Sequence, residues 1–244
     1  MIVRPIEKGW TIYFHKAHAL LAMEIGLQLD KRFWPIKEYL AAGMDSISEH
    51  DNNQPKWNGK DNLTSSGAPL DYRQRTEVDL EQVKGVARSA KYKSSFIELM
   101  VSLHFQRLYH GSNNLDVQEF LKKQEATCEK LIKRLNLQEP EVLQCYRFLR
   151  FCDDLSLALC QNDFDNLDGP CSIKSVTGKG EGMLAHISED SFILDPWLFE
   201  EDEVDLKIEY YTVRKHFYAS DEELKNELDL LDPEIRRFRI KKGD

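Results

Sequence analysis

The feature that most constrains the fold is a change in hydrophobic period late in the chain. Up to about residue 162, apolar residues recur mostly at the three- and four-residue spacing of amphipathic helices. After Asp168-Gly169-Pro170 the chain changes to short alternating runs, such as SFILD and VDLKIEYYTV, which are typical of strands. A helix and a strand bury faces of different period, so one pattern cannot substitute for the other. The sequence therefore predicts a mainly α, α+β fold with a helical body and C-terminal strands.

The helical pattern divides into several segments separated by turn residues and charge clusters. We expect helices at about 16–30, 36–49, 77–109, 114–135 and 140–160, with a short acidic helix at 222–231. The third of these is predicted as one long helix or as two helices interrupted near Gly85. Residues 52–72 are dense in Asn, Gly, Ser and Pro, which predicts a long loop. Such loops are often functional, although the sequence leaves the role of this one open.

A second strand signal stands at the start of the chain. Residues 1–4 and 10–14 favour β-structure and flank a short turn, which indicates a hairpin. We expect a single domain over residues 1–244, in which a helical core at 15–162 is packed by a strand-rich subregion at 170–244. The expected sheet is a smaller antiparallel element formed by the N-terminal hairpin and the C-terminal strands.

The charge balance limits the kinds of partner. The chain has 42 Asp and Glu against 33 Lys and Arg, a formal net charge of −9, which disfavours nonspecific binding to nucleic acid or to anionic membranes. The expected partner is a small-molecule substrate or ligand, or another protein. The apolar C-terminal strands suit either a cover for the helical body or a dimer interface, so a homodimer is also considered.

The cysteines and the apolar runs indicate the compartment. Five cysteines occur without a CxxC pair, so neither a disulfide framework nor a zinc knuckle is expected. No stretch approaches the roughly 18 apolar residues that a membrane span needs, and the first residues have no secretory pattern. The sequence predicts a cytoplasmic protein.

Several polar residues interrupt apolar helical faces. His18 precedes Leu21 and Ile25 at helical spacing, and His104 and Asp153 interrupt similar stripes. An ionised carboxylate that faces a core costs several kcal/mol unless it is paired or bound to a metal. Asp153 is therefore the more informative residue, although a helix cap or a salt bridge with Arg147 or Arg150 would also explain it. Each histidine alone is equally compatible with a hydrogen-bonded core residue.

The pair His50-Asp51 closes the second predicted helix and places two more ligand types side by side. Imidazoles and carboxylates together form a mixed nitrogen and oxygen set suited to Mn, Fe, Co, Ni or Zn. Such a metal lowers the pKa of bound water and polarises a phosphoryl oxygen, so hydrolysis is the natural chemistry.

The order of these residues resembles a known pattern. His18, then His50-Asp51, then a distant helical Asp153 is similar to the H…HD…D pattern of the HD-domain superfamily of metal-dependent phosphohydrolases. More narrowly, the chain resembles the DUF3891 family of uncharacterised bacterial proteins. The stretches that carry this resemblance are MIVR, HALLA, the pair His50-Asp51, VSLHFQRLYHG, DDLSLALC and, more weakly, ILDPWLF.

The resemblance implies an HD-like helical fold and a metal site. Its direct ligands would be His18, His50, Asp51 and Asp153. His104 would line the same pocket, and Arg107, one turn further on, could bind a phosphate or carboxylate bidentately. A solvated arginine or a partner of Glu98 is the alternative for Arg107.

The residues after the pair depart from the resemblance. Relatives tend to follow His-Asp with Asp-Gly-Trp, whereas Asn52-Asn53-Gln54-Pro55 stands here. Two functions are therefore expected. The first is a metal-dependent hydrolase of a small phosphoester or related anionic substrate, which would use metal-activated water. The alternative is a noncatalytic HD-like module that binds a small ligand or a protein partner in the same pocket.

Overall fold

The computed structural model describes residues 1–50, 61–75, 77–161, 170–178, 180–188 and 190–243. The α-helices in these ranges are α1 (His15–Gln28), α2 (Leu40–Glu49), α3 (Leu80–Lys93), α4 (Ser95–Tyr109), α5 (Leu115–Arg134), α6 (Glu139–Gln161) and α7 (Asp221–Leu230). The strands are β1 (Ile2–Ile6), β2 (Gly9–Tyr13), β3 (Cys171–Lys174), β4 (Glu181–Ser188), β5 (Ser191–Asp195), β6 (Glu203–Val213) and β7 (Glu234–Lys242).

The described strands form one curled, mixed sheet that resembles a half-barrel. Its order is β1-β2-β6-β7-β5-β4-β3, and the neighbours are antiparallel except for the parallel pair β5 and β7. The N-terminal hairpin belongs to this sheet because β2 pairs with β6, with Trp10 opposite Val213 and Ile12 opposite Tyr211. The sheet is therefore continuous, and β1 and β3 form its two edges.

The predicted architecture, a mainly helical HD-like body with a small antiparallel β element, is wrong. Of the described residues, about 52% are helical and 23% are in strands, and the seven-stranded sheet is a major layer. The local alternation of β6 and β7 indicates strands but contains no information on which distant strands they pair with. The pairing of β2 with β6 is decided by tertiary packing. The sequence pattern alone therefore underestimated the number of strands in the sheet.

Helix boundaries follow from local capping. Ser94 has extended backbone angles (φ −161°, ψ 145°), and its hydroxyl accepts a hydrogen bond from the Phe96 amide at 3.2 Å. A side-chain oxygen at this position satisfies one of the amides that a helix start leaves without a partner. The helical pattern at 77–109 therefore divides at Ser94, and Gly85 lies inside α3. The predicted interruption near Gly85 is wrong, since a helix tolerates a single interior glycine at modest cost.

One hydrophobic cluster joins the helices to the sheet. Ile25 of α1, Leu155 of α6 and Phe192, Leu206 and Phe238 of the sheet are all buried in it. The helix α6 provides much of this cluster, because consecutive turns bury residues on several of its faces. None of the described helices is long and apolar enough to span a membrane.

The second part of the predicted loop packs against the N-terminal strand. The Asp71 carboxylate accepts hydrogen bonds from the Val3 amide at 2.8 Å and from the Arg73 amide at 2.9 Å. The Tyr72 amide donates to the Met1 carbonyl at 2.9 Å. These contacts fix Tyr72 beside α1, where its ring meets that of His15. The first part of the loop, residues 52–60, lies outside the described residues.

Candidate metal centre

Three helices bring two imidazoles to one carboxylate. His18 lies in α1, His50 follows the last residue of α2, and Asp153 lies in α6. The Asp153 Oδ1 atom is 3.3 Å from His18 Nε2 and 3.2 Å from His50 Nε2. One ligand atom from each residue lies within 4.8 Å of the other two, and this group could hold a metal ion.

The site is inside the protein. His18, His50 and Asp153 are exposed by 0%, 2% and 5%. His18 belongs to the stripe of α1 that also buries Leu21 and Ile25, so the core packing of this helix directs the imidazole inward. Polar groups at such depth are stable only when their hydrogen-bonding and charge requirements are met locally.

Hydrogen bonds fix the tautomer of His18. The single hydroxyl proton of Ser156 is donated to the Asp153 carbonyl at 2.9 Å. The same hydroxyl oxygen lies 2.8 Å from His18 Nδ1, and with its own proton on the carbonyl it accepts a hydrogen bond from a protonated Nδ1. In the neutral imidazole, His18 Nε2 then carries a lone pair, and this lone pair is directed at Asp153.

His50 has the same arrangement through a different partner. Its Nδ1 contacts the carbonyl oxygen of Ile47, one turn earlier, and a carbonyl only accepts. His50 Nδ1 is therefore protonated, and Nε2 of the neutral ring is an electron-pair donor. Two nitrogen lone pairs and a carboxylate oxygen thus converge, which a cation between them would stabilise.

The Asp153 carboxyl remains ionised in this setting. Burial alone would raise its pKa. When the rings are protonated, the charge of His50, the hydrogen bonds that His18 and His50 donate through Nε2, and the charge of His104 outweigh burial and hold the pKa well below the usual range. The centre therefore provides the anionic ligand that a divalent cation needs.

Two of the remaining predicted site residues, His104 and Arg107, lie in the described part of the chain. The His104 ring is buried, with its centroid 5.1 Å from that of His50 at an interplanar angle of 78°, but His104 is not a member of the three-residue group. Arg107 Nη2 lies 3.8 Å from Asp154 Oδ1. Asp51 lies outside the described residues, so its predicted role as a ligand stays a prediction.

The alternatives considered for Asp153 and Arg107, a salt bridge to Arg150 and a pairing with Glu98, differ from the ion pairs in the structure. Arg150, considered as a salt-bridge partner of Asp153, instead places its Nε 3.4 Å from Asp154 Oδ2. Arg107 shares that same Asp154 carboxylate. Burial and the neighbouring negative charge of Asp153 raise the pKa of Asp154, while the two arginines lower it.

Sequence reasoning did not select some of the residues around the centre. Ser156 follows Asp153 by three positions on α6, and this helical spacing could have identified it as a neighbour. His15 precedes His18 by three positions, and their ring centroids are 6.2 Å apart. Tyr72 had no local signal, because it reaches the site through the loop that packs on β1.

Comparison with known proteins gives a family but no activity. Residues 1–215 match the family model described as "Protein of unknown function (DUF3891)". Neither the curated proteins nor the solved structures contain a match to this chain.

Proposed function

The chain belongs to the DUF3891 family, and from its buried centre we propose that it is a metal-dependent hydrolase of a small anionic substrate. The observation that carries the proposal is that His18 and His50 are held in the same way, with an oxygen at Nδ1 and the Asp153 carboxylate at Nε2. Each ring donates through Nδ1 and directs Nε2 at Asp153 Oδ1. Imidazoles that ligate metals usually donate their other nitrogen to a carbonyl or a similar acceptor, which fixes the ring and the tautomer.

The donor set restricts the metal. Two neutral imidazoles and one carboxylate suit Zn, Fe, Co, Ni or Mn, because Mg and Ca prefer sites made of oxygen. Three protein ligands also leave coordination positions open, which is typical of catalytic sites. When bound, such an ion supplies Lewis acidity and makes water a stronger acid.

The protein residues have defined tasks in this proposal. Ser156 and the Ile47 carbonyl orient the two imidazoles, and Asp153 supplies negative charge. Burial of all three ligating residues excludes bulk water, which strengthens the electrostatic interactions within the site.

Metal analysis tests the binding step. We expect protein purified from metal-replete cells to contain about one equivalent of a transition metal, and we expect Asp153→Asn to lose it, because the anionic ligand is removed. Asp154→Asn is the matched control, since it lies one residue further on and pairs with Arg107 and Arg150.

Bound metal should also stabilise the fold. A metal at about 100 times its Kd raises the free energy of unfolding by about 2.7 kcal/mol. At about 2–4 °C per kcal/mol, this raises Tm by about 5–11 °C. Wild-type protein without stoichiometric metal would contradict the proposal.

Hydrolysis is tested separately. The metal-loaded protein is assayed against phosphomonoesters, phosphodiesters and nucleotides, with Asp153→Asn as the inactive reference. Turnover that depends on Asp153 and on the metal supports hydrolysis. Equal turnover in both proteins would indicate a contaminant and remove the support.

The depth of the centre favours a second candidate, a noncatalytic module that binds a metal and a small ligand. His18 is fully buried and His50 nearly so, which is also typical of a site that a substrate does not enter. If the metal-loaded protein hydrolyses none of these substrates while a metabolite raises its Tm, this candidate replaces the first.

A further inference from the structure

A cleft of about 360 Å³ lies between α4, α6, β3 and the turn at Tyr72. Its volume is at the lower end of the roughly 300–1,000 Å³ of small-molecule sites. The basic side chains in its wall are Arg107, Arg150 and Lys174. The cleft therefore combines a cationic wall with a size suited to a small metabolite.

The cleft lies beside the metal centre along α6, since Asp154 in its wall follows Asp153 directly. Arg150 lies one turn before Asp153 on α6 and shares a helix face with that candidate ligand. Arg107 lies one turn after His104 on α4, and the His104 ring contacts that of His50. Tyr72 lines the cleft, and its ring centroid is 5.3 Å from that of His15. The helix α6, which holds Asp153, thus also forms one wall of the cleft.

The charges in the cleft are not balanced. Arg107 and Arg150 both face the single carboxylate of Asp154, at 3.8 and 3.4 Å. The charge of Lys174 is matched by Glu181 outside the cleft. Two guanidinium groups against one carboxylate leave an excess of positive charge, which an oxyanion would neutralise. Guanidinium groups are suited to this because they bind carboxylates and phosphates through two parallel hydrogen bonds.

A buried hydroxyl lies on α6 behind the residues that line the cleft. The Tyr146 hydroxyl oxygen is buried and has no hydrogen-bond partner among the described residues. Tyr146 lies four positions before Arg150 on α6, so the two side chains share a helix face, and burial raises the pKa of Tyr146. Leaving a buried donor without a partner costs about 1–3 kcal/mol, so a ligand group that reached this hydroxyl would gain a favourable hydrogen bond.

We infer that this cleft binds the anionic group, phosphate or carboxylate, of a small substrate through Arg107 and Arg150. The inference rests on the proposed function, since it assigns the cleft to the substrate of the neighbouring metal centre. It specifies that function by placing substrate recognition on α4 and on α6, the helix that holds Asp153.

Binding of simple anions tests the inference. Orthophosphate and succinate are titrated separately by calorimetry into wild-type protein as purified, and into Arg107→Gln and Arg150→Gln. We expect one of the two anions to bind, and its Kd to rise about tenfold or more in each variant, as for the loss of a charge-assisted hydrogen bond. Arg147→Gln is the control, because it removes the same charge from an exposed position of α6 outside the cleft. Tm values confirm that each variant is folded.

The outcomes separate this inference from the proposed function. Anion binding that is weakened by both cleft variants and not by Arg147→Gln supports the anion site, whichever anion binds. Binding that is indifferent to the two arginines, or absent for both anions, overturns it. Metal content is measured in the same samples. If the protein is metal-free but binds the anion through the arginines, the hydrolase proposal fails and the anion site stands. If the protein holds metal but shows no such binding, the anion site fails and the metal centre stands.

Discussion

Replacing Ser156 by alanine is the sharpest test of how the centre works, because it leaves all three candidate ligands in place. The Ser156 hydroxyl accepts the Nδ1 proton of His18 at 2.8 Å and donates to the Asp153 carbonyl at 2.9 Å. Alanine removes the acceptor, and the fully buried His18 ring has no access to bulk water as a substitute. A buried donor that loses its partner costs about 1–3 kcal/mol.

The metal-free protein can avoid this cost, whereas the metal-bound protein cannot. Without metal, the proton of His18 can move to Nε2 and be donated to Asp153 Oδ1, which lies 3.3 Å away. That tautomer has no lone pair at Nε2 for a metal. Metal binding in Ser156→Ala must therefore restore the unfavourable tautomer. We expect its metal affinity to fall about 10- to 100-fold, as for other partners that orient ligating histidines.

Competition with a chelator measures this loss, using zinc or cobalt and Ser102→Ala as the matched control. Ser102 is also a buried serine in a helix, but its hydroxyl donates to Gln124 Oε1 of α5 at 2.9 Å. Both variants lose a buried hydroxyl, so their stabilities should fall similarly, whereas only Ser156→Ala should bind metal more weakly. Nitrogen chemical shifts of His18 report the tautomer directly. Equal metal affinity in the two variants would refute the reasoning.

Two further predictions concern stability. Burial raises the pKa values of Tyr72 and Cys145 to about 12. Because the unfolded chain loses these protons first, the free energy of unfolding should fall as pH rises from about 9 towards 12, with a limiting slope near 1.4 kcal/mol per pH unit for each group. Urea midpoints at several pH values measure this, and constant stability above about pH 9 would contradict it. Gly43→Ala should lower stability by about 1–3 kcal/mol, because the new methyl group would overlap the buried Trp34 ring. Gly111→Ala, with no heavy atom within 4 Å of its added methyl group, is the control, and equal Tm values for the two variants would contradict this explanation.

The centre depends on three separate helices, so its variants should not act additively. His18, His50 and Asp153 share one oxygen atom as their meeting point. Groups that act on a common atom are energetically coupled, and removing a second one costs less than removing the first. The nearby Asp154 pairs instead with two arginines, which shows how one position along α6 changes the role of a carboxylate.

The sequence alone was sufficient to identify the candidate ligands that face inward. Helical spacing placed His18 and Asp153 on apolar stripes, and the structure buries both. The period of an amphipathic helix is a local property, so it requires no knowledge of the partner element. The same reasoning could not establish that the His50 ring would meet Asp153, since 103 positions separate them along the chain.

The tertiary structure decided the sheet, the tautomers and the cleft. Strand alternation is local, but the pairing of β2 with β6 depends on contacts between distant segments, so a large mixed sheet appeared where a small one was expected. The proton positions on His18 and His50 follow from acceptors that only the folded chain brings into place. Likewise, Arg107 and Arg150 line one cleft because α4 and α6 pack together, an arrangement set by the shared core. The sequence by itself therefore determined which side chains turn inward, and only the fold determined what they meet there.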